Sequence, residues 1–312
     1  MKHVVKKLGL ILLLLIASLV NAQEEEPLRV AISHLQKGTL DSAKMVIDQL
    51  ITDPQAAKDG NVWYYRGFIY KSIYNKWEKK DKHSNSRMEA LKAFRQSLAL
   101  DTVKATIAEN KKNIKYLTTT LYNDACTSLD SLDYKSGIET FEQFKEYYTL
   151  VDPSPKVLNE YNIKFLQALG SVYAKIFEDD KTVKTEIKEA NKNKKGELLK
   201  LAVDAYSKII ILDPMNNSAY YNIGTLYYEQ GANLIHQLDY GTEIPVLNDA
   251  QDNTFAYYRQ SLPYMEKAYT IAPTRIEILY GLYSIYFSLN EIEKSNEFKE
   301  KLELRIKEME KK

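Results

Sequence analysis

Apolar positions recur every three to four residues over most of residues 27–300, which is the period of a helix that buries one face. The clearest example places Tyr220, Gly224 and Tyr227 on a single face of such a helix. Pro214 stands just before this segment, and because proline cannot continue a helix, it separates this helix from the preceding one. The pattern therefore predicts an all-α chain of amphipathic helices joined by turns.

The same arrangement recurs along the chain as a two-helix unit. In the first helix, a large residue is followed four positions later by a small one and three positions further on by another large residue. In the second helix, a small residue is followed four positions later by a large one, which fills the gap that close helix approach leaves. The first-helix copies are Trp63/Gly67/Tyr70, Leu121/Ala125/Ser128, Leu166/Gly170/Tyr173, Tyr220/Gly224/Tyr227 and Leu279/Tyr283/Tyr286, with a weak copy at Ala31. Two copies depart from the motif, because Ser128 stands where the second large residue is expected and Tyr283 stands where the small residue is expected. The second-helix copies are Ala43/Ile47/Leu50, Ala90/Phe94/Ser97, Gly137/Phe141/Phe144, Ala202/Tyr206/Ile209 and Ser261/Met265/Ala268, with a loose copy at Ser295.

These motifs resemble the tetratricopeptide-repeat (TPR) superfamily, and most of all its exported members in Gram-negative bacteria. The resemblance implies a TPR-like right-handed superhelix of about six helical hairpins over residues 23–289. It also implies a role in protein–protein interaction, and it brings no catalytic motif. Residues 290–312 place Phe298, Leu302 and Ile306 at four-residue spacing among many Lys and Glu, which predicts a C-terminal capping helix.

Three of the units are longer than this family requires. The small residues of the two helices lie twelve positions apart in an ordinary TPR unit, but 23, 32 and 37 apart in the second, fourth and fifth units here. The extra residues are expected inside each hairpin, so they should gather along one edge of the stack. Lys76–Arg87 and Glu178–Glu197 are rich in Lys and Glu, which predicts solvated helix extensions.

The insertion of the fifth unit differs from the other two because it is less polar. Turn residues surround the apolar side chains of Tyr240, Ile244, Val246 and Leu247. One interpretation is a loop that folds onto its own hairpin. The other is an edge that docks a partner or covers a ligand.

A stripe of aromatic residues is predicted along the concave groove. The first-helix positions that follow each large residue of the motif hold Tyr64, Tyr122, Gln167, Tyr221 and Tyr280. Tyrosine suits an interface because it combines a large apolar face with a hydroxyl and few rotamers. Repeat packing is the alternative explanation for these tyrosines. The Lys and Asn that grip a partner's C-terminal carboxylate in one TPR subclass are absent from these positions.

The chain shows no enzyme motif. His3, His34, His83 and His236 are scattered without zinc-ligand spacing, and no Gly-rich phosphate loop or Gly-x-Ser-x-Gly elbow occurs. Cys126 is the single cysteine, which excludes an internal disulfide, and its place on an apolar face predicts a buried, inert thiol. We therefore expect no catalysis, no cofactor and no metal site.

The first 22 residues have the pattern of a secretory signal peptide. A basic start is followed by a 13-residue apolar run from Leu8 to Val20 and by a small residue at Ala22. An uncleaved anchor is the alternative, although the run is shorter than a membrane span. The predicted location is the periplasm, with outer-membrane association or secretion as the other outcomes of export. We expect no transmembrane segment in the mature chain.

The formal net charge of +1 gives no reason to expect nucleic acid as a partner. The sequence therefore predicts a non-enzymatic interaction scaffold of the cell envelope, which binds an unidentified protein or peptide through the groove, the inserted edge or both. Two alternatives stay open: a helical-repeat module for a small molecule or glycan, and a structural subunit of an envelope complex.

Overall fold

A computed structural model describes residues 26–179 and 188–310, with side chains outside 178–195. The predicted signal segment 1–22 and most of the predicted extension Glu178–Glu197 lie outside these described side chains. The described residues form twelve α-helices and one short 3₁₀-helix, and no strand occurs among them. The predicted all-α class is confirmed.

The helices follow one another with short connections. Their bounds are α1 Pro27–Lys37, α2 Leu40–Leu50, α3 Gly60–Lys76, α4 Asn85–Leu100, α5 Lys104–Asp130, α6 Tyr134–Tyr148, α7 Pro155–Asp179, α8 Lys188–Leu212, α9 Asn217–His236, α10 Ile244–Ile271, α11 Ile276–Ser288 and α12 Ile292–Glu310. Successive helices pair as α1–α2, α3–α4, α7–α8, α9–α10 and α11–α12. The predicted six hairpins are completed by α5 and α6, where the Tyr122 ring packs 5.3 Å from the Phe144 ring.

The hairpins pack through the small-against-large contacts that the repeat predicts. A methyl group on Gly67 of α3 would lie 2.6 Å from the Phe94 ring of α4, and one on Gly170 of α7 would lie 2.7 Å from the Tyr206 ring of α8. In the fifth hairpin the Ser261 hydroxyl donates a hydrogen bond of 2.6 Å to the Gly224 carbonyl. Each large partner is buried, so the small residue sets how closely the two helices approach.

Side-chain caps begin several helices where the sequence supplies an acceptor. The Asp59 side chain accepts from the Asn61 backbone N–H at the start of α3, and the Ser84 side chain accepts from the Arg87 N–H at the start of α4. Asn216 caps α9 in the same way. These caps satisfy N–H groups that the first turn of a helix leaves without an internal partner.

The described chain divides into two compact units. Unit one comprises the residues up to 124 together with 139–153, and unit two comprises 125–138 together with 154 onward. One core of unit one is formed by α1 to α3, with Ala31, Ala43, Ile47 and Ile69 fully buried. This division cuts through α5 and α6, so their hairpin contributes to both units.

Unit two has its own core at the C-terminal end of the chain. Met265 of α10 packs there with Leu282 and Tyr286 of α11 and with Phe298 and Leu302 of α12. The predicted stripe of α12 is thus buried at its first two positions, whereas Ile306 is 40% exposed. α12 forms the second helix of the sixth hairpin, and the predicted boundary between 289 and 290 stays a prediction.

The insertion of the second unit is only partly the solvated extension that its charges predict. Residues 77–84 form a turn between α3 and α4, and Arg87 just beyond it is buried. The Arg87 guanidinium pairs with Asp124, contacts the Tyr74 hydroxyl and donates to the Lys82 carbonyl. Burial is therefore possible because the positive charge is paired and hydrogen-bonded inside unit one.

The insertion of the fifth unit lies mostly within helices rather than in a loop. α9 has 20 residues and α10 has 28, so only 237–243 connect them without helix. Pro245 stands at the start of α10, where its missing N–H costs nothing and its fixed backbone angle favours the first turn. Ile244, Val246 and Leu247 therefore belong to the first turns of α10.

Candidate functional site

The connection between α9 and α10 holds the predicted edge residues; we call residues 235–248 the hairpin tip. Its turn is ordered by Asp239, whose carboxylate accepts from the Gly241 N–H at 2.9 Å and from the Thr242 hydroxyl at 3.2 Å. The Thr242 hydroxyl also accepts from the Asp239 N–H at 3.1 Å. Such side-chain bonds favour a tight turn. Tyr240 is at the apex of this turn.

The apolar side chains of the hairpin tip face outward. Tyr240 is fully exposed, and the exposed fractions of Ile244, Val246 and Leu247 are 72%, 50% and 36%. Ile235 at the end of α9 is 42% exposed. The interpretation of this insertion as a loop folded onto its own hairpin is therefore wrong. A group of neighbouring exposed apolar side chains is unusual unless it forms a contact surface.

Acidic residues alternate with these apolar residues in the sequence and follow them along α10. The segment from Gln237 to Asn253 contains Asp239, Glu243, Asp249 and Asp252 and neither Lys nor Arg. All four carboxylates belong to exposed residues. The exposed apolar side chains of the hairpin tip thus lie in a segment with four carboxylates, and this negative charge favours a partner that carries positive charge.

The predicted groove tyrosines of unit one are half-buried in aromatic clusters. The Tyr64 ring lies 5.1 Å from the Phe68 ring and 6.2 Å from the Phe94 ring. Burial raises the pKa of the Tyr64 phenol, and the negative charge of Glu109 raises it to a smaller extent. Tyr122 packs against Phe144 in the third hairpin. Both side chains therefore contribute to hairpin packing, and each leaves part of its surface accessible.

The groove positions of unit two differ among themselves. Gln167 on α7 is half-buried. Tyr221 on α9 lies under the Arg275 guanidinium, whose carbon is 4.8 Å from the ring centre. Tyr280 on α11 is 59% exposed, which makes it the most accessible residue of the predicted stripe. Among the predicted groove tyrosines, Tyr280 is therefore the one whose ring is mostly accessible to a partner.

An open cleft, which the motifs did not predict, lies within unit two between α8, α9 and α10. Its volume is about 470 Å³, and its aromatic side chains are Tyr227 and Tyr257. The sequence interpretation assigned Tyr227 only to the repeat signature. Tyr257 belongs to the part of α10 that precedes the repeat residue Ser261, so the unusual length of this unit was the available signal.

The described residues carry none of the usual marks of a metal or redox site. No group of three or more His, Cys, Asp and Glu side chains in this part of the chain is arranged to hold a metal ion. Cys126 is only partly buried, in contrast to the buried thiol that the sequence predicts, and it forms no disulfide. None of the helices in the described ranges combines the length and apolar character that a bilayer span requires.

Comparison with known proteins gives similarity at the level of structure. No protein-family model matches the chain, and no curated protein sequence matches it. The crystal structure of MamA is 17% identical over 79% of this chain and 94% of that protein, with a TM-score of 0.34. PilW, a type IV pilus biogenesis factor, is 14% identical over 89% and 91%, with a TM-score of 0.30. The TPR domain of P58(IPK) is 12% identical over 92% and 98%, with a TM-score of 0.19.

These scores are low, so the hairpin architecture is argued from the packing of this chain itself. Gly67 against Phe94, Gly170 against Tyr206, and Gly224 against Met265 repeat one small-against-large contact in three hairpins. The remaining three hairpins likewise consist of two helices that follow one another in the chain. The described residues therefore form an all-α series of helical hairpins that pack in the way the sequence repeat predicts.

Proposed function

We propose that this protein is a non-enzymatic scaffold that captures a protein partner through its hairpin tip. The observation that carries the proposal is the exposure of Tyr240, Ile244, Val246 and Leu247 on one ordered turn and the helix start beside it. Removing such side chains from water is favourable in proportion to the apolar area that a partner covers. A surface that is preformed in this way loses little conformational freedom on binding.

The partner that fits this surface is a protein segment with an apolar face flanked by Lys or Arg. Four carboxylates in a segment that contains neither Lys nor Arg would attract such a partner and repel an acidic one. Anionic lipid and nucleic acid are disfavoured for the same reason. The proposed association should therefore weaken as the salt concentration rises, because salt screens exposed charges.

The tyrosine groove is the second candidate surface for the same partner. Tyr280 supports it through its exposure, while Tyr64, Tyr122, Gln167 and Tyr221 would contribute the accessible parts of half-buried side chains. Aromatic residues of this kind often anchor protein interfaces. We rank the groove below the hairpin tip because most of its rings are already engaged in packing.

We place this activity in the cell envelope. The proposal is supported by the basic and apolar pattern of residues 1–22, which is typical of a secretory signal peptide. The periplasm is the proposed compartment, and outer-membrane association and secretion are the alternatives.

The experiment compares capture of a partner by the unmodified full chain and by three variants of it. The double variant Ile244→Ser, Leu247→Ser changes the hairpin tip, and Ile211→Ser changes an isoleucine that is 78% exposed on α8. We expect the tip variant to reduce capture of the partner at least about tenfold, while Ile211→Ser leaves it unchanged. Retained capture by the tip variant, with loss in Tyr280→Ala, would assign recognition to the groove instead.

A further inference from the structure

The cleft of unit two is separate from the hairpin tip and lies on the second-helix side of the hairpins. Its walls are α8 and α10, and Tyr227 of α9 contributes between them. Lys200 and Asp204 are four residues apart on α8, while Asn253, Tyr257 and Gln260 recur at helical spacing on α10. These positions share a helix face in each case, so both walls present polar groups to one space.

The extra length of α10 creates one of these walls. Thr254 donates a hydrogen bond of 3.2 Å to the Gly231 carbonyl, and Tyr258 stacks on Tyr228 with ring centres 5.0 Å apart. These contacts hold the face of α10 that carries Thr254 and Tyr258 against α9. Asn253, Tyr257 and Gln260 belong to a different face of α10, and they line the cleft.

The polar side chains of the cleft are available to a ligand. Six polar side chains line the cleft, and none of them has a hydrogen-bond or ion-pair partner among the residues that the structure describes. They are Lys200, Asp204, Tyr227, Asn253, Tyr257 and Gln260. Burial raises the pKa of the Tyr227 phenol, and Tyr264, Tyr257 and Asp204 act in the same direction. The oxygens of Tyr257 and Asp204 are therefore close enough to Tyr227 to act on it electrostatically.

The chemistry of these groups narrows the class of ligand. One ammonium and one carboxylate give no preference for a charged ligand, and a single carboxylate is too few for a metal ion. A wholly apolar ligand would cover polar groups of both walls without giving them hydrogen-bond partners, which is costly. A ligand rich in hydroxyls can donate to Asp204, accept from Lys200 and do both with the two amides and the two phenols.

We propose that this cleft binds a carbohydrate, with a sugar ring against a tyrosine and its hydroxyls bonded to Asp204 and Asn253. The apolar C–H face of a sugar complements the electron-rich face of a phenol ring. The cleft volume of about 470 Å³ is within the usual range of ligand sites. The site adds a small ligand to a protein whose proposed partner binds elsewhere, so either proposal can fail without the other.

The test uses the full chain and three neutral probes, which are maltotetraose, cellotetraose and tetra-N-acetylchitotetraose. Binding is measured by saturation-transfer NMR and by calorimetry. At least one probe should bind with a dissociation constant on the order of 1 mM or tighter. Tyr257→Ala should weaken that binding at least about tenfold, and Asn253→Ala, at an exposed position, should weaken it as well.

Trp77→Ala is the matched control, because it removes an exposed aromatic side chain of unit one, outside the cleft. Its affinity for the probe should equal that of the unmodified chain. The proposal is overturned if none of the three probes binds, or if both Tyr257→Ala and Asn253→Ala bind as the unmodified chain does. Thermal unfolding of each variant, followed by circular dichroism, verifies that the comparison is made between folded proteins.

Discussion

Single atoms decide how closely the helices of one hairpin approach. Gly67 lies against Phe94, where an added methyl group would come within 2.6 Å of the ring, a distance that van der Waals repulsion forbids. Gly196 on α8 is the contrasting case, because a methyl group there meets no described atom within 4 Å. The same substitution should therefore have opposite effects at the two positions.

Gly67→Ala should lower the free energy of unfolding by about 1–3 kcal/mol, because Phe94 is fully buried and has little room to move. Gly196→Ala should raise it by up to about 1 kcal/mol, because alanine favours a helix more than glycine does. Urea denaturation of the two variants measures both values. Equal effects at the two sites would contradict the proposed packing of the second hairpin.

A charged group in unit one makes stability depend on pH. Arg66 is buried and donates to Asp48 and Glu89 at 2.9 Å each. Burial alone would raise the pKa of Glu89, but hydrogen bonds from Lys92 and Arg66 outweigh it, and the pKa is lowered. A carboxyl whose pKa is lowered by folding stabilises the folded state above its unfolded pKa, and the contribution is lost as pH falls through the folded value.

Glu89→Gln removes this titration. The unmodified chain should lose stability more steeply than the variant as the pH falls below about 4.5, the ordinary pKa of the group. The two chains should have parallel stability profiles between pH 6 and 8, where Glu89 is ionised throughout. Urea midpoints measured across this range test the prediction. Parallel profiles in acid would show that Glu89 titrates alike in the folded and unfolded states.

At the scale of elements, the sequence predicts which helices pair but not how the insertions are built. Gly67, Phe94, Ser261 and Met265 were identifiable because the repeat fixes their spacing and the need for small against large. Periodicity alone does not distinguish a loop from a longer helix, so the extension of α10 was missed. The exposure of Tyr240 was one of two open interpretations, because an apolar cluster ordinarily indicates burial.

The cleft could not be predicted for a related reason. Tyr227 and Tyr257 are far apart in sequence, and they share a space only because α8 and α10 lie on either side of it. No single-sequence pattern contains that distance. The hairpin tip was partly predictable, because the excess length of the fifth unit indicated where it lies. The sequence did not indicate which side chains of the tip are exposed.

The buried Arg87 is the clearest test of an inserted element. Its side chain pairs with Asp124 and holds the 77–84 turn through the Lys82 carbonyl. Arg87→Met should lower the free energy of unfolding by about 3 kcal/mol, because Asp124 would lose its partner in a partly buried place. Arg95→Met breaks an exposed pair with Glu146 and should cost less than about 1 kcal/mol. Chemical denaturation compares the two, and equal costs would contradict the structural role of Arg87.

At the scale of the whole molecule, a regular set of hairpins presents an irregular feature. The hairpins bury the small residues of the repeat, whereas the hairpin tip leaves Tyr240 and Ile244 exposed to solvent in a segment with four carboxylates. Helical-repeat proteins commonly bind through features that depart from the repeat, because insertions gather on one face. The central claim is therefore that the hairpin tip, rather than the tyrosine groove, makes the main contact with a partner.

Site-specific photocrosslinking in the native cell tests this claim most directly. A benzophenone amino acid is placed in turn at Tyr240, at the exposed control position Ile211 and at the groove position Tyr280. The account predicts a crosslinked adduct with one protein partner from position 240 and none from position 211, with a yield that falls as salt is added to the lysed envelope. Adducts from position 280 together with none from position 240 would contradict it.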